Sequence, residues 1–229
     1  MIDFLNVYGY TVINHMNGGF IMKVLILNGS PHAKGTTYTA LNEMIKIFDA
    51  EGIETELVQV GQLDIRGCLG CGYCRTHGRC VNNDIVNEIA GKLKDADGMV
   101  IGSPVYYGSA NSTLTALLDR LFFSFDFDAT MKVGCSVCAA RRGGLTATFD
   151  QLNKYFTISG MPLASGQYWN GIHGHNGEEA AEDKEGMQMM RTLARNMAFL
   201  MKSIALGKEK YGLPKREKTV MTNFVREDA

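Results

Sequence analysis

The stretch CLGCGYCRTHGRC, residues 68–80, contains four of the six cysteines of the 229-residue chain. A C-x2-C-x2-C-x5-C pattern is formed by Cys68, Cys71, Cys74 and Cys80. Three thiolates spaced by two residues can wrap one corner of an iron-sulfur cubane, because Gly70 and Gly72 let backbone N–H groups turn toward sulfur. The fourth thiolate must come from the returning chain. The spacing therefore predicts a [4Fe–4S] cluster in this segment.

Zinc, disulfides and free thiols are the alternatives for these four cysteines. Structural zinc more often uses two separated C-x2-C pairs, and a reducing cytosol disfavours disulfides. Val81 follows the fourth cysteine where two-cluster ferredoxins have proline, and no second cysteine set of that kind exists. The remaining pair, Cys135 and Cys138, lies in an apolar strand-like run where positions three apart point to opposite faces. We expect these two to be buried core thiols.

The turn NGSPHAKGTT, residues 28–37, leads from an apolar strand into a helix. Free backbone N–H groups and the helix dipole attract phosphate at such a turn. The turn has neither the spacing of a Walker loop nor the G-x-G-x-x-G of dinucleotide-binding folds. Its neutral hydroxyl groups and nearby basic side chains suit a phosphomonoester, with an ordinary capped turn as the alternative. The candidate phosphate residues are Ser30, His32, Lys34, Thr36 and Thr37.

Two further turns follow later predicted strands. SPVYYGS, residues 103–109, presents two tyrosines that could lie against a planar ring. RRGG, residues 141–144, combines glycines that allow close approach with guanidinium groups that could stabilise negative charge on such a ring. Each signal alone is weak, since loop tyrosines often pack and adjacent arginines are often solvated. Together, a phosphate grip, a ring platform and an anion stabiliser at one crevice predict FMN.

Alternating strands and helices position these turns. Apolar runs predict strands at 22–28, 54–60, 98–104, 132–140 and 161–165, and helical spacing of apolar residues predicts the helices that follow them. Such alternation is typical of an α/β protein with a doubly wound parallel sheet, helices on both faces and a ligand crevice beyond the carboxyl ends of the strands. The predicted organisation is an extension (1–21), one domain (22–206) with a cysteine-rich insertion (66–84), and a polar tail (207–229).

The charge balance argues against several classes of partner. The 23 basic and 24 acidic residues are interspersed and give a net charge of −1, so no footprint for nucleic acid or an anionic membrane is visible. No apolar run reaches the ~20 residues of a bilayer crossing, and the N-terminus lacks the pattern of a secretory signal. We therefore expect a cytoplasmic protein that binds neither nucleic acid nor membrane.

Three of these motifs, VLILNGSPHAKGTT, SPVYYGS followed by LLDR, and RRGG, resemble the NAD(P)H-dependent FMN reductase family of flavodoxin-like proteins. The cysteine segment resembles the iron-sulfur flavoprotein branch of that family. The resemblance covers about residues 22–205 and implies a five-stranded flavodoxin-like fold that binds FMN at the three turns. It also implies a homodimer or homotetramer in which neighbouring subunits help to enclose each flavin.

The resemblance also implies roles for individual residues by motif position. Ser30, Thr36 and Thr37 would hold the phosphate. The residues implied along the two edges of the isoalloxazine ring are Pro104, Val105, Tyr106, Tyr107, Gly108, Arg141, Arg142 and Gly143.

The predicted function is that of an FMN-dependent oxidoreductase. Electrons would come from NADH, NADPH or reduced ferredoxin and pass through flavin and the cluster to a small-molecule or protein acceptor. Hydride transfer to flavin needs no protein acid or base, so no catalytic residue is assigned. The alternatives are an electron carrier that turns over no small substrate, and a flavin enzyme whose cysteines hold zinc or nothing.

The segment YWNGIHGHNGEE, residues 168–179, precedes the last predicted helix and contains the only tryptophan. His173 and His175 could bind a metal ion with Glu178, but the set of ligands is incomplete. We expect this connection to act instead as a lid or subunit contact near the flavin.

Overall fold

The computed structural model describes residues 22–218 and 220. The predicted extension, residues 1–21, lies outside this part of the chain, as do residues 219 and 221–229 of the predicted tail. The strands are β1 (Lys23–Asn28), β2 (Glu54–Gln59), β3 (Gly98–Tyr106), β4 (Ser109–Ala110), β5 (Val133–Ala140) and β6 (Gly171–His173). The helices are α1 (Thr36–Ala50), α2 (Cys74–His77), α3 (Ile85–Asp95), α4 (Ser112–Ser124), α5 (Leu145–Ile158), α6 (Gly177–Glu182) and α7 (Lys184–Tyr211).

Five strands form a parallel sheet in the order β2-β1-β3-β5-β6, and the short strand β4 pairs antiparallel with the end of β3. This is the strand order of flavodoxin-like folds, whose topological switch point lies between β1 and β3. All eight residues of β5 are buried, as expected for an inner parallel strand covered on both faces. The predicted doubly wound α/β sheet with helices on both faces is confirmed.

Two apolar clusters cover the two faces of the sheet. One includes residues of α1 and α7 together with Cys135, and the other includes residues of α3, α4 and α5 together with Cys138. The two thiols therefore point to opposite faces. Burial raises the pKa of both, that of Cys138 to about 12. The prediction that both are buried core thiols is confirmed.

The fifth strand of the sheet is not where the sequence predicted it. Residues 161–165 make a single bridge to β5, between Leu163 and Gly134. Pro162 has no N–H group to donate, which limits the ladder that this segment can form. The fifth parallel strand is instead β6, which pairs with the end of β5. It lies inside the segment that the sequence predicted to be a connection, because three residues are too few to show a period.

Two other predicted boundaries shift. Strand β3 continues to Tyr106, so Val105 and Tyr106 lie in a strand rather than in a loop. Helix α7 continues to Tyr211, which takes residues 207–211 out of the predicted tail. No helix within the described residues is both long and apolar enough to cross a membrane.

Candidate functional site

The turn between β1 and α1 places the start of α1 at the carboxyl edge of the sheet, and no described side chain caps this helix start. Gly35 precedes α1, no described side chain caps the helix, and its first turn has no acidic residue. Other helices begin on a capping side chain, those of Asp84, Asn111, Asn176 and Asp183. The backbone N–H groups at the start of α1 thus keep the dipole and the donors that bind a phosphate group.

Neighbouring strands fix the shape of this turn before any ligand arrives. The backbone N–H of Ser30 donates to Oδ1 of Asn28 at 3.1 Å, and Gln59 donates through Nε2 to the carbonyl of Ser30 at 2.5 Å. The N–H of Gly29 donates to the carbonyl of Gly102 at 2.8 Å. A side chain at Gly61 would stand 2.2 Å from the carbonyl carbon of Ser30, so only glycine fits there. These contacts fix the backbone of the turn between β1 and α1.

The predicted phosphate residues face different surroundings. Ser30 and Thr37 are buried, whereas His32 and Lys34 are exposed. The hydroxyl group of Ser30 accepts the N–H of His32 at 3.1 Å. The hydroxyl group of Thr36 donates to the carbonyl of Asn176 at 3.0 Å, so its proton ties the turn to the start of α6 instead of pointing at the crevice. Phosphate binding by these five residues stays a prediction.

The second predicted turn is a tight hairpin. Tyr107 and Gly108 both have positive φ, 55° and 73°, and connect β3 to β4. A positive φ is uncommon for tyrosine and indicates that the surroundings impose it. The Tyr107 side chain is fully exposed, and that of Tyr106 is partly exposed. Two aromatic rings are thus offered at the edge of the crevice.

The third predicted turn packs against this hairpin. Gly144 has φ +91°, and a side chain there would stand 2.8 Å from Cγ1 of Val105 and 3.0 Å from Cα of Gly108. Gln151 of α5 accepts the N–H of Ala110 and the hydroxyl of Ser109, each at 2.9 Å. The structure therefore brings Gly144, at the end of the third turn, against Val105 and Gly108.

Helix α5 begins at this junction without a side-chain cap and without an acidic residue in its first turn. Arg141 and Arg142 precede it and are exposed. A free helix start and two guanidinium groups give this edge of the crevice a positive electrostatic character. A planar group that gains negative charge would be stabilised there.

The four clustered cysteines share one cavity. Its walls are formed by Cys68, Leu69, Cys71, Gly72, Cys74, Cys80, Val81, Asn82, Arg120, Phe123 and Ser124. The backbone N–H of Gly70 points at Sγ of Cys68, 3.5 Å away. Gly70, Gly72 and Gly78 all have positive φ, which glycine tolerates and which lets the loop fold around the cavity.

No three His, Cys, Asp or Glu side chains within the described residues are arranged to hold a single metal ion. The [4Fe–4S] cluster at these four cysteines stays a prediction, with zinc, disulfides and free thiols as the alternatives.

Arg120 of α4 holds the cysteine loop through hydrogen bonds to its residues. Its side chain is completely buried. Nε donates to Sγ of Cys80 at 3.2 Å, and the two terminal nitrogens donate to both carboxylate oxygens of Asp84 at 2.7 and 2.8 Å. The same nitrogens also donate to the carbonyls of Arg66 and Asn82. All five N–H donors of the guanidinium are used within the insertion.

The ion pair with Asp84 compensates the cost of burying the charge of Arg120. Burial acts to raise the pKa of Asp84, but hydrogen bonds from Arg120 and Val86 outweigh it and hold the pKa below its ordinary value. Burial acts to lower the pKa of Arg120, and the contacts with Asp84 and Cys80 outweigh that effect. Both groups are charged near neutral pH. The carboxylate thus neutralises the cation that faces the thiol.

Sequence reasoning missed the residues that support the cysteines. Asn87 accepts the N–H of Cys80 at 3.0 Å and donates to its carbonyl at 3.1 Å, so it fixes the backbone of the fourth cysteine. Arg120 falls at helical spacing on the apolar face of α4, between Leu117 and Leu121. A charged residue at such a position signals a buried ion pair, since an unpaired charge is rarely buried.

The segment before α7 forms a second cavity beside the start of α5. The aromatic rings of Tyr168 and Trp169 are exposed, with centroids 4.9 Å apart, and both residues line this cavity. The N–H of His173 donates to Asp183, which also caps α7, and the N–H of His175 donates to Glu179. Backbone contacts of the two histidines thus hold the segment against the starts of α6 and α7. Its role as a lid or subunit contact stays a prediction.

Comparison with known proteins gives a consistent picture. The sequence model of the family described as NADPH-dependent FMN reductase matches residues 22–176. An iron-sulfur flavoprotein of Methanocaldococcus jannaschii is 34% identical over 191 residues, which cover 80% of this chain and 99% of that protein.

Solved structures show the same fold at low sequence identity. The crystal structure of RosB with bound 8-demethyl-8-formylriboflavin-5'-phosphate superposes with a TM-score of 0.64 at 16% identity, covering 90% of this chain and 94% of that one. A flavodoxin from the domain Archaea superposes with a TM-score of 0.55 at 13% identity, covering 79% and 99%. Both likenesses support the flavodoxin-like fold.

Proposed function

The chain belongs to the NADPH-dependent FMN reductase family, in its iron-sulfur flavoprotein branch, and on this premise we propose that it is an FMN-containing oxidoreductase that also holds a [4Fe–4S] cluster. One observation carries the proposal. The three turns after β1, β3 and β5 meet at the topological switch point of the sheet, where flavodoxin-like proteins bind their ligands.

The chain's own residues supply binding and orientation for FMN. The uncapped start of α1 and the hydroxyl groups of Ser30 and Thr37 would hold the phosphate. The hairpin at Tyr107 and the turn at Arg141 would border the ring, and the positive edge at α5 would favour its reduced, anionic form. FMN, when bound, supplies a ring that accepts a hydride or single electrons.

A [4Fe–4S] cluster would be held by Cys68, Cys71, Cys74 and Cys80, which line one cavity. The buried Arg120 donates through Nε to Sγ of Cys80 at 3.2 Å and so positions this sulfur atom at the cavity. The cluster would supply one-electron transfer. An iron-sulfur flavoprotein at 34% identity over almost its full length supports this assignment.

The proposed reaction takes electrons from NADH, NADPH or reduced ferredoxin to a small-molecule or protein acceptor. Assembly into a homodimer or homotetramer is part of the proposal. Tyr107 supports it, because a fully exposed aromatic ring in an imposed conformation has contact area to offer a second copy of the chain.

Anaerobic purification tests both cofactors together. We expect FMN on extraction, and iron and acid-labile sulfide in equal amounts. Cys71→Ser should lower iron and sulfide while FMN stays bound, and Cys138→Ser, in the core, should leave both metal and sulfide unchanged. A purified chain that binds no FMN at high micromolar concentration would refute the flavoprotein assignment. Iron and sulfide near zero would leave a flavin enzyme without a cluster.

An electron carrier is the second candidate. Leu69, Val81 and Phe123 are partly exposed apolar residues at the rim of the cysteine cavity, which suits contact with a redox protein. Steady-state oxidation of NADH or NADPH by the holoprotein, with a quinone or free flavin as acceptor, separates the two functions. Turnover supports the enzyme. Its absence, with rapid electron exchange with reduced ferredoxin, supports the carrier.

A further inference from the structure

Ser124 carries a buried hydroxyl group without a partner. It is the last residue of α4, one turn after Arg120, and only 4% of its surface is exposed. Its Oγ is the one buried side-chain nitrogen or oxygen atom among the described residues that makes no hydrogen bond. Buried polar groups are almost always satisfied, so a solitary exception calls for a ligand or another explanation.

The conformation of Ser124 is unusual for a helical serine or threonine. Such residues commonly return the hydroxyl proton to the carbonyl four residues earlier. Thr148 in α5 does so with Gly144 at 3.0 Å, and Ser159, the residue that follows α5, does so with Tyr155 at 2.9 Å. Ser124 does not satisfy its hydroxyl group in this way.

Ser124 and Arg120 are four residues apart and therefore lie on one face of α4. Both line the cavity that contains the four clustered cysteines. Arg120 already donates through Nε to Sγ of Cys80, so one polar group of this face has a sulfur acceptor. The other polar residue of this face, Ser124, lines the same cavity, and its hydroxyl group has no acceptor among the described residues.

We propose that the Ser124 hydroxyl donates a hydrogen bond to a sulfur atom of the [4Fe–4S] cluster and thereby raises its reduction potential. The inference rests on the proposed function, since it requires the cluster. Reduction adds negative charge to the sulfur atoms, and a donor directed at sulfur stabilises the reduced form more than the oxidised form. Ser124 is a positioning and tuning residue and ligates no iron.

The test is a redox titration of the anaerobically purified holoprotein, followed by electron paramagnetic resonance. Ser124→Ala should shift the cluster potential to a more negative value while the flavin potential stays unchanged. Ser124→Thr, which keeps the hydroxyl group, should restore the potential toward the original value. Ser159→Ala is the matched control, because it removes a hydroxyl group at the end of α5 that already has a carbonyl partner; it should shift neither potential.

The possible results distinguish this inference from the proposed function. A cluster potential in Ser124→Ala equal to that of the unmodified protein, at full iron content, would overturn the inference and leave the proposed function intact. Loss of iron in Ser124→Ala with retention in Ser124→Thr would support a hydroxyl contact with the cluster. Loss of iron in both variants would indicate a packing role and overturn it. An unmodified chain without iron and sulfide would refute the cluster itself.

Discussion

The guanidinium of Arg120 joins the cysteine loop to the core, because its Nε donates to Sγ of Cys80 while the side chain is completely buried. The leucines of helix α4 pack against apolar side chains of β1 and β3 on one face of the sheet. The same helix therefore connects the carboxyl edge of the sheet to the cysteine cavity. A shift of α4 would be felt at both candidate cofactor sites.

Asp84→Asn tests the ion pair between Asp84 and Arg120. Removing the carboxylate leaves Arg120 buried without its counter-charge, and breaking such a pair costs about 3 kcal/mol when both groups are buried. Asp84 keeps about a third of its surface exposed, so we expect about 2 kcal/mol in urea unfolding of the cluster-free protein. Iron content should fall as well. Asp49→Asn, at an exposed position, should change neither, and equal stability of the two variants would contradict the pairing argument.

Thr37→Val tests the phosphate turn. The substitution keeps the shape of a buried residue whose methyl group already packs near Gly102 on β3, and it removes one hydroxyl donor. A hydrogen bond to a charged group contributes about 1.5–3 kcal/mol, so FMN affinity should fall roughly 10- to 100-fold. Fluorescence quenching of FMN by the apoprotein measures it. Thr157→Val, on the exposed side of α5, should bind FMN normally; unchanged affinity in Thr37→Val would remove Thr37 from the site.

Gly144→Ala tests the contact between the second and third turns. A side chain at this position would clash with Val105 and Gly108, and its φ of +91° is unfavourable for alanine. We expect a loss of about 1–3 kcal/mol in unfolding free energy. Gly143→Ala is the matched control, because nothing lies within 4 Å of the added carbon and no positive φ is involved. Equal unfolding free energies of the two apoproteins would argue against the close packing of these turns.

The sequence predicted the sheet, the three turns and the cysteine set, because each depends on local composition or spacing. It misplaced the fifth strand, since the three residues of β6 are defined only by pairing with β5. It also missed the support of Cys80 by Arg120 and Asn87. Arg120 contacts residues 36 to 54 positions away in the chain. Such contacts depend on the fold, and no local sequence pattern predicts them.

The ion pair between α1 and α7 gives a pH-dependent prediction. Burial acts to raise the pKa of Glu43, but hydrogen bonds from Arg191 and Lys46 outweigh it and hold the pKa below its ordinary value of 4.5. The stabilisation is therefore complete above pH 4.5 and is lost as the pH falls through the lowered pKa. Glu43→Gln should cost about 0.5–1 kcal/mol at pH 7.

In chemical denaturation, the difference between Glu43→Gln and the unmodified protein should shrink as the pH is lowered toward 3. The exposed Glu54→Gln variant should follow the unmodified protein at every pH. A Glu43→Gln deficit that is constant from pH 7 to pH 3 would show that the loss comes from packing and not from the charge pair.

Cysteine alkylation separates the two groups of thiols in one measurement. Cys68 and Cys71 are exposed in the described structure, whereas Cys135 and Cys138 are buried, and burial raises the pKa of the second pair and withholds the reactive thiolate. Brief treatment of cluster-free, folded protein with iodoacetamide should therefore label Cys68 and Cys71 and spare Cys135 and Cys138, as read by peptide mass spectrometry. In holoprotein the first pair should be protected as well, because iron occupies the sulfur atoms. In urea, all six cysteines should be labelled in either state. Labelling of Cys68 and Cys71 at the same rate with and without iron would contradict their assignment as ligands.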